Sequence, residues 1–166
     1  MNLRGRRIHI VGSADPTADE EKLGYVHSLV SELTNALVAE GANFVIPFGK
    51  EPFLTEREDG LSIIFDWTVA EAVSKAQIKG IAKPSGPNGY LIATLATSKT
   101  DFQIPAVRRV IYEQLRDTNS IGIEFLEPGW SAGAISRSRL AQLGDILIAI
   151  SGVKGLSNLQ SNIPQG

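Results

Sequence analysis

Five short apolar segments alternate with amphipathic segments along the chain, and this alternation constrains the fold more than any other feature. The apolar segments are rich in β-branched residues and run into loops that contain Gly, Pro or Ser, which is typical of β-strands. They lie at residues 8–11, 43–46, 90–95, 121–126 and 145–150. Alternation of this kind predicts a parallel sheet with right-handed crossovers. We therefore expect an α/β, Rossmann-like three-layer domain with a mainly parallel sheet of about five or more strands.

The first helix is the best defined of the four that the spacing predicts. Apolar residues recur at steps of three and four between residues 23 and 37, which gives one buried stripe. Asp15 or Thr17 is expected to cap this helix, and Gly41 to end it. The other helices are predicted at 62–77, 104–116 and 131–143, with Val107, Val110 or Ile111, and Leu115 of the third facing the core. The polar stretch 50–60 between the first two helices is expected to be an exposed loop.

The length of 166 residues allows one domain with one hydrophobic core. We expect residues 1–166 to form this single domain. A further helix is predicted to begin at residues 156–159, shortly before the sequence ends. Because a doubly wound domain would normally continue into another strand, the sequence predicts either a truncated domain or the front piece of a longer protein.

The charge balance argues against a nucleic-acid or membrane partner. The chain has 16 Lys and Arg residues against 18 Asp and Glu, so its net charge is −2 and no basic surplus is available to bind phosphate backbones or anionic lipids. It contains no Cys, which excludes disulfides and thiolate metal sites and suits a reducing compartment. The apolar run at 8–11 is too short for a signal peptide or a membrane span. We therefore expect a cytoplasmic protein.

The loops that follow the strands are the candidate ligand sites, because open parallel sheets bind ligands at the carboxyl ends of their strands. The loop after the first strand consists of Gly12, Ser13, Ala14 and Asp15. Free backbone amides at the start of the first helix could hold an anion here. The full G-x-G-x-x-G pattern is absent, so a plain strand-to-helix turn is an equally good interpretation.

Two further loops offer weaker signals. Phe48 and Gly49 follow the second strand and could face a base or a phosphate, although a simple turn fits equally well. Lys99 follows the third strand and would bring an ammonium group to the same edge. The alternative for Lys99 is a solvated loop.

The loop after the fifth strand is the strongest ligand-binding candidate. It directly follows the most apolar strand, and it consists of Ser151, Gly152, Val153, Lys154 and Gly155. Its glycines would let backbone amides surround a phosphate, and Lys154 adds positive charge. The spacing differs from a Walker A loop. Arg137, on the helix before this strand, could also point into the crevice, while a solvated helix face is its alternative.

Catalytic signals are sparse. Asp66 and Glu71 are the acids best placed for chemistry if their helix borders the crevice, whereas His9 and His27 are expected to be packing or surface residues. No recognised metal-binding or nucleophile motif is present, so we expect neither a metal site nor a cofactor.

Three stretches together resemble the SLOG superfamily. They are residues 10–14 (Ile-Val-Gly-Ser-Ala), the pair Arg137-x-Arg139, and residues 144–155 (Gly-Asp-Ile-Leu-Ile-Ala-Ile-Ser-Gly-Val-Lys-Gly). These Rossmann-like domains are named for the DNA-processing Smf/DprA proteins and the Lonely Guy cytokinin-activating enzymes. The resemblance covers most of the chain.

The resemblance implies a nucleotide-binding loop without the catalytic acid of the Lonely Guy enzymes. Their loop reads P-G-G-x-G-T-x-x-E, and its Glu serves phosphoribohydrolase chemistry. Leu159 stands at that position here, and a Leu side chain cannot act as acid, base or charge stabiliser. The chain therefore looks like the sensor-type SLOG domains of bacterial conflict systems. Those domains recognise nucleotide-derived signals such as cyclic ADP-ribose variants and commonly sit beside an effector domain.

Three functions follow from the residues and the resemblance. The favoured one is a sensor of an ADP-ribose-like or cyclic ADP-ribose-like small molecule, which would form a homo-oligomer and regulate an attached or associated effector in antiphage defence. Lys154 and Arg137 would neutralise the phosphates of this ligand. The alternative is a nucleotide N-glycosidase or phosphoribohydrolase-like enzyme in which Asp66 or Glu71 replaces the lost acid. Single-stranded DNA binding is a third interpretation, which the acidic charge balance disfavours.

Overall fold

The computed structural model describes residues 2–53, 56–84, 89–96, 99–125, 132–151 and 153. Strands and helices alternate through these residues. Their bounds are β1 (Arg7–Gly12), α1 (Glu20–Ala39), β2 (Asn43–Val45), α2 (Asp66–Ile78), β3 (Ile92–Ala96), α3 (Thr100–Gln103), α4 (Arg109–Asp117), β4 (Ile121–Phe125), α5 (Ala132–Leu143) and β5 (Ile146–Ile150). A short 3₁₀ turn, Ala106–Arg108, leads into α4.

The five strands form one parallel sheet in the order β4-β3-β2-β1-β5. The chain steps from β1 to β4 in one direction and then crosses to the opposite edge to form β5. Right-handed crossovers place α1, α2 and α4 on one face and α5 on the other. In agreement, α2 packs against both α1 and α4, while α5 packs on β3. The predicted Rossmann-like α/β fold is confirmed.

The two faces of the sheet bury separate hydrophobic clusters. The larger cluster joins α1, α2 and α4 to the sheet, and its fully buried members include Ile8, Leu23, Phe44 and Leu115. The smaller cluster, on the face covered by α5, contains Val45, Leu95 and Leu140. Every residue of β2 and β3 is buried, on both faces of the sheet, which explains why these two strands are largely apolar without alternation.

Helix α1 starts later than its sequence predicts. Asp15 and Thr17 do not cap it: the carboxylate of Asp15 instead accepts bonds from the N–H and the hydroxyl of Thr17, at 2.9 and 2.7 Å. The cap is Asp19, whose carboxylate accepts the N–H of Lys22 at 3.3 Å. The end of the helix is as expected, because Gly41 adopts a φ of +86° directly after it.

The segment predicted as one helix at 104–116 is instead a 3₁₀ turn followed by α4. A 3₁₀ turn has 3.0 residues per turn, so it changes which side chains of the following helix face the sheet. Val107 and Val110 are consequently 69% and 78% exposed, so the expectation for Val107 is wrong, and Ile111, the alternative to Val110, packs against the core. Leu115 is buried as predicted, and Tyr112 is buried as well.

Among the glycines that the structure describes, Gly12 should tolerate a side chain least. Its φ is +154°, and a Cβ there would overlap the carbonyl oxygen of Ile150 on β5. Gly12→Ala should therefore lower the free energy of unfolding by at least about 2 kcal/mol, as measured by urea denaturation.

Gly24→Ala is the matched control for this substitution. Gly24 lies inside α1, and the nearest atom to an added Cβ is 4.0 Å away. Alanine is favoured over glycine in a helix, so this variant should gain roughly 0.5–1 kcal/mol. Equal stability of the two variants would contradict the close approach of β1 to β5.

Candidate functional site

The loops after β1 and β5 meet at the carboxyl edge of the sheet. These two neighbouring strands lie where the strand order reverses, and such a reversal opens a crevice between the loops that follow them. The N–H of Asp15 donates to the carbonyl oxygen of Val153 at 3.1 Å. The structure thus brings together the two glycine-containing loops that the sequence singles out. Gly152, Lys154 and Gly155 lie outside the described residues, as does the side chain of Arg137.

The loop after β1 is also bonded to the segment that precedes α2. The N–H of Ala14 donates to the carbonyl oxygen of Ile63 at 2.7 Å, and Ser13 forms an isolated bridge with Ile64. The amides of Ala14 and Asp15 therefore already have acceptors within the protein. The expectation that they lie free at a helix start is wrong, because α1 begins five residues further along the chain.

Asp66 is the first residue of α2 and lies at this same edge of the sheet. Its half-buried carboxyl has no hydrogen bond or ion pair with any side chain that the structure describes. Burial, and after it the negative charge of Glu51, raise the pKa of Asp66 to about 7. The start of a helix favours a carboxylate, but burial outweighs that effect here. A carboxyl that is half protonated near neutral pH can act as a general acid or a general base.

An ion pair with a fully buried carboxylate lies near Asp66. This pair was not predicted from the sequence. The side chain of Glu51 has 0% exposure, and its two carboxylate oxygens accept the Nε and Nη2 of Arg108 at 2.9 and 3.0 Å. Glu51 comes from the stretch predicted to be exposed, and Arg108 from the turn before α4. No local pattern marks either residue, because its partner lies 57 positions away in the sequence.

Part of the polar stretch 50–60 is bonded to the rest of the protein. Arg57 donates from Nη1 to the carbonyl oxygens of Pro16 and Ala18, both at 2.9 Å, and pairs with Asp59. The side chains of Arg57 and Asp59 are 8% and 10% exposed. The expectation of an exposed loop is wrong at these residues, because ion pairs and carbonyl acceptors make their burial tolerable.

The ligand-binding candidates that follow β2 and β3 differ in burial. Phe48 is buried, with ring centroids 5.1 Å from Trp67 and 5.3 Å from Tyr112, so its ring belongs to an aromatic cluster of the core. Gly49, which follows it, is half-buried. Lys99 is exposed and immediately precedes α3.

Glu71 lies apart from Asp66, in a cleft between α1 and α2. It pairs with Lys75 at 3.0 Å, one turn along the same helix. His27 lines this cleft, and its ring nitrogens lie 2.6 Å from the Thr68 hydroxyl and 2.7 Å from the Ser62 carbonyl oxygen. Burial lowers the pKa of His27. As the sequence predicts, His27 is a packing residue, and it ties α1 to α2.

Neither a membrane span nor a metal-binding cluster occurs in the part of the chain that the structure describes. No described helix is long and apolar enough to cross a membrane. Among the same residues, no group of three or more His, Asp and Glu side chains could hold a metal ion.

Replacing Asp66 with Asn should remove a pH dependence of stability. Folding raises the pKa of Asp66 from 3.8 to about 7, so the folded protein binds this proton more tightly than the unfolded chain does. The stabilisation is complete below pH 3.8 and is lost as the pH rises through about 7. Relative to Asp66→Asn, the wild-type protein should lose up to about 1.4 kcal/mol per pH unit across this window.

Urea unfolding at about pH 5 and about pH 8 measures this difference. Asp117→Asn, at the exposed end of α4, is the matched control and should follow the wild type. If wild type and Asp66→Asn change equally with pH, the pKa of Asp66 is not raised.

One family model matches the chain, over residues 3–164, and its description is ATP nucleosidase Cap17-like, N-terminal. The match is consistent with a SLOG-type domain without establishing that superfamily. No curated protein matches the sequence. Because the match spans nearly the whole chain, the protein belongs to the Cap17-like ATP nucleosidase N-terminal family.

Proposed function

We propose that this domain binds an adenine-nucleotide-derived ligand of the ADP-ribose or cyclic ADP-ribose type between the loops after β1 and β5. The observation that carries the proposal is the hydrogen bond from Asp15 to Val153, which joins these loops where the strand order reverses. Membership of a nucleosidase family supports a nucleotide-related ligand. In this proposal, binding regulates an attached or associated effector in antiphage defence.

The occupied amides of Ala14 and Asp15 limit how a ligand could be held. They leave the phosphate charge to basic side chains, for which Lys154 and Arg137 are the candidates from the sequence. Hydrogen bonds from Thr17 lower the pKa of Asp15, so its carboxylate stays ionised and could accept hydrogen bonds from ribose hydroxyls.

Signalling requires that the ligand bind one state of the protein more tightly than the other, because a ligand with equal affinity for both does not change their populations. Loops on neighbouring strands suit this requirement, since a ligand bound across them would change their separation or their mobility. In the proposal, this change biases a homo-oligomeric interface or the contact with the effector.

Hydrolysis of a nucleotide N-glycosidic bond is the second candidate, and the raised pKa of Asp66 favours it. In this reaction water forms a bond to C1′ of the ribose, the bond from C1′ to the base breaks, and the base leaves with a proton. Protonated Asp66 would donate that proton and recover one from the attacking water. The products are the free base and a ribose phosphate.

Calorimetric titration followed by chromatography separates the two functions. The ligands are ADP-ribose, cyclic ADP-ribose isomers, NAD, AMP and ATP, each added to the full chain. We expect one of them to bind and to be recovered intact, which is the result of a sensor. Release of adenine would instead establish the nucleosidase, and Asp66→Asn should then slow it by about 100-fold or more. Absence of binding by every ligand would refute the proposal.

Lys154→Ala should weaken the binding of an anionic ligand by roughly tenfold, the cost of one charged hydrogen bond. Lys83→Ala is the matched control, because Lys83 is an exposed lysine between α2 and β3, at the opposite edge of the sheet. Calorimetry of the two variants measures the effect. Unchanged affinity in Lys154→Ala would remove this side chain from the site.

A further inference from the structure

A cleft of about 330 Å³ lies between α1 and α2, apart from the loops after β1 and β5. Pockets for small molecules span about 300–1,000 Å³, so this cleft suits a ligand at the lower end of that range. Its polar lining includes Ser28, Ser31, Thr68, Glu71, Lys75 and Arg108. Two of these side chains are cations, and each is paired with a carboxylate, Arg108 with Glu51 and Lys75 with Glu71.

Arg108 enters this cleft in a fixed orientation. Its Nε and Nη2 are held by both oxygens of the fully buried Glu51 carboxylate. A guanidinium has five N–H donors, and this pairing uses two of them. Among the described residues, no acceptor binds its Nη1. Because the planar group is already immobilised, the remaining donors can bind an anion with little further loss of side-chain entropy.

The helices supply the rest of the polar lining. The hydroxyls of Ser28 and Ser31 form no hydrogen bond with the part of the protein that the structure describes, although both line the cleft. At the mouth, Lys75 is 67% exposed and lies 3.0 Å from the carboxylate of Glu71. The hydrogen bond between His27 and Thr68 holds the two helices together behind these groups.

We infer that the cleft between α1 and α2 is a binding site for a small phosphorylated sugar. Arg108 and Lys75 would bind the phosphate, because fixed guanidinium donors and a mobile ammonium both suit its oxygens. The hydroxyls of Ser28 and Ser31 and the carboxylate of Glu71 would bond to hydroxyls of the sugar. This site does not depend on the ligand of the loops after β1 and β5. Its ligand class is also the product class of nucleotide N-glycoside hydrolysis.

Imidazole NMR signals offer a direct test, because the protein has two histidines. His27 lines the cleft, whereas His9 lies on β1. Ribose 5-phosphate, inorganic phosphate and ribose are each titrated into the full chain. Ribose 5-phosphate should move the His27 signals to saturation and leave those of His9 in place. Ribose 5-phosphate should bind at least about tenfold more tightly than phosphate or ribose, since only this ligand contacts both the cations and the groups that bond to sugar hydroxyls.

Two variants check the location of the site. Lys75→Gln should weaken the binding of ribose 5-phosphate by about tenfold, and Ser31→Leu should abolish it by filling the cleft. Lys79→Gln, at the exposed residue that caps the C-terminus of α2, is the matched control and should bind like the wild type. Circular dichroism confirms that the variants are folded.

Three outcomes would overturn the inference. They are His27 signals that do not move, binding of inorganic phosphate as tight as that of ribose 5-phosphate, and wild-type affinity in both Lys75→Gln and folded Ser31→Leu. None of these outcomes bears on the ligand of the loops after β1 and β5, because the variants lie in a different part of the fold.

Discussion

The close approach of β1 to β5 is the constraint on which the carboxyl edge of the sheet depends. At Gly12 the two strands lie so near each other that a side chain would overlap the carbonyl oxygen of Ile150. This approach lets the N–H of Asp15 reach Val153, and the same loop then bonds through Ala14 to the segment before α2. The loops after β1 and β5 and the segment before α2 thus meet at one edge of the sheet.

Buried charge organises the rest of this edge. Glu51 and Arg108 pair with each other, and removal of Arg108 would leave the fully buried Glu51 carboxylate without its partner, at a cost of about 3–5 kcal/mol. Asp66 receives no such compensation from the described residues, so it retains its proton until the pH is near 7. The two members of this pair lie in different surroundings. The negative charge of Glu51 helps to raise the pKa of Asp66 at the edge of the sheet, and Arg108 lines the cleft between α1 and α2.

Sensing and hydrolysis place different demands on this arrangement. A sensor needs loops that hold a nucleotide intact and a second state that binds it less well. A nucleosidase needs in addition a proton donor within reach of the leaving base. In the proposed sensor the paired loops would hold the nucleotide, and in the nucleosidase Asp66 would be the proton donor. Glu71, the other acid considered from the sequence, lies in the cleft between the helices and is paired with Lys75.

The sequence by itself determined the α/β class and the approximate positions of all five strands, because strand and helix periodicities reflect local backbone geometry. It also singled out the loops at 12–15 and 151–155 and the acid Asp66, since ligands of parallel sheets bind where strands end. Only the tertiary structure decided that the amides of Ala14 and Asp15 are occupied and that Glu51 is buried against Arg108. Those outcomes depend on partners distant in sequence, and local spacing carries no information about which distant groups will meet.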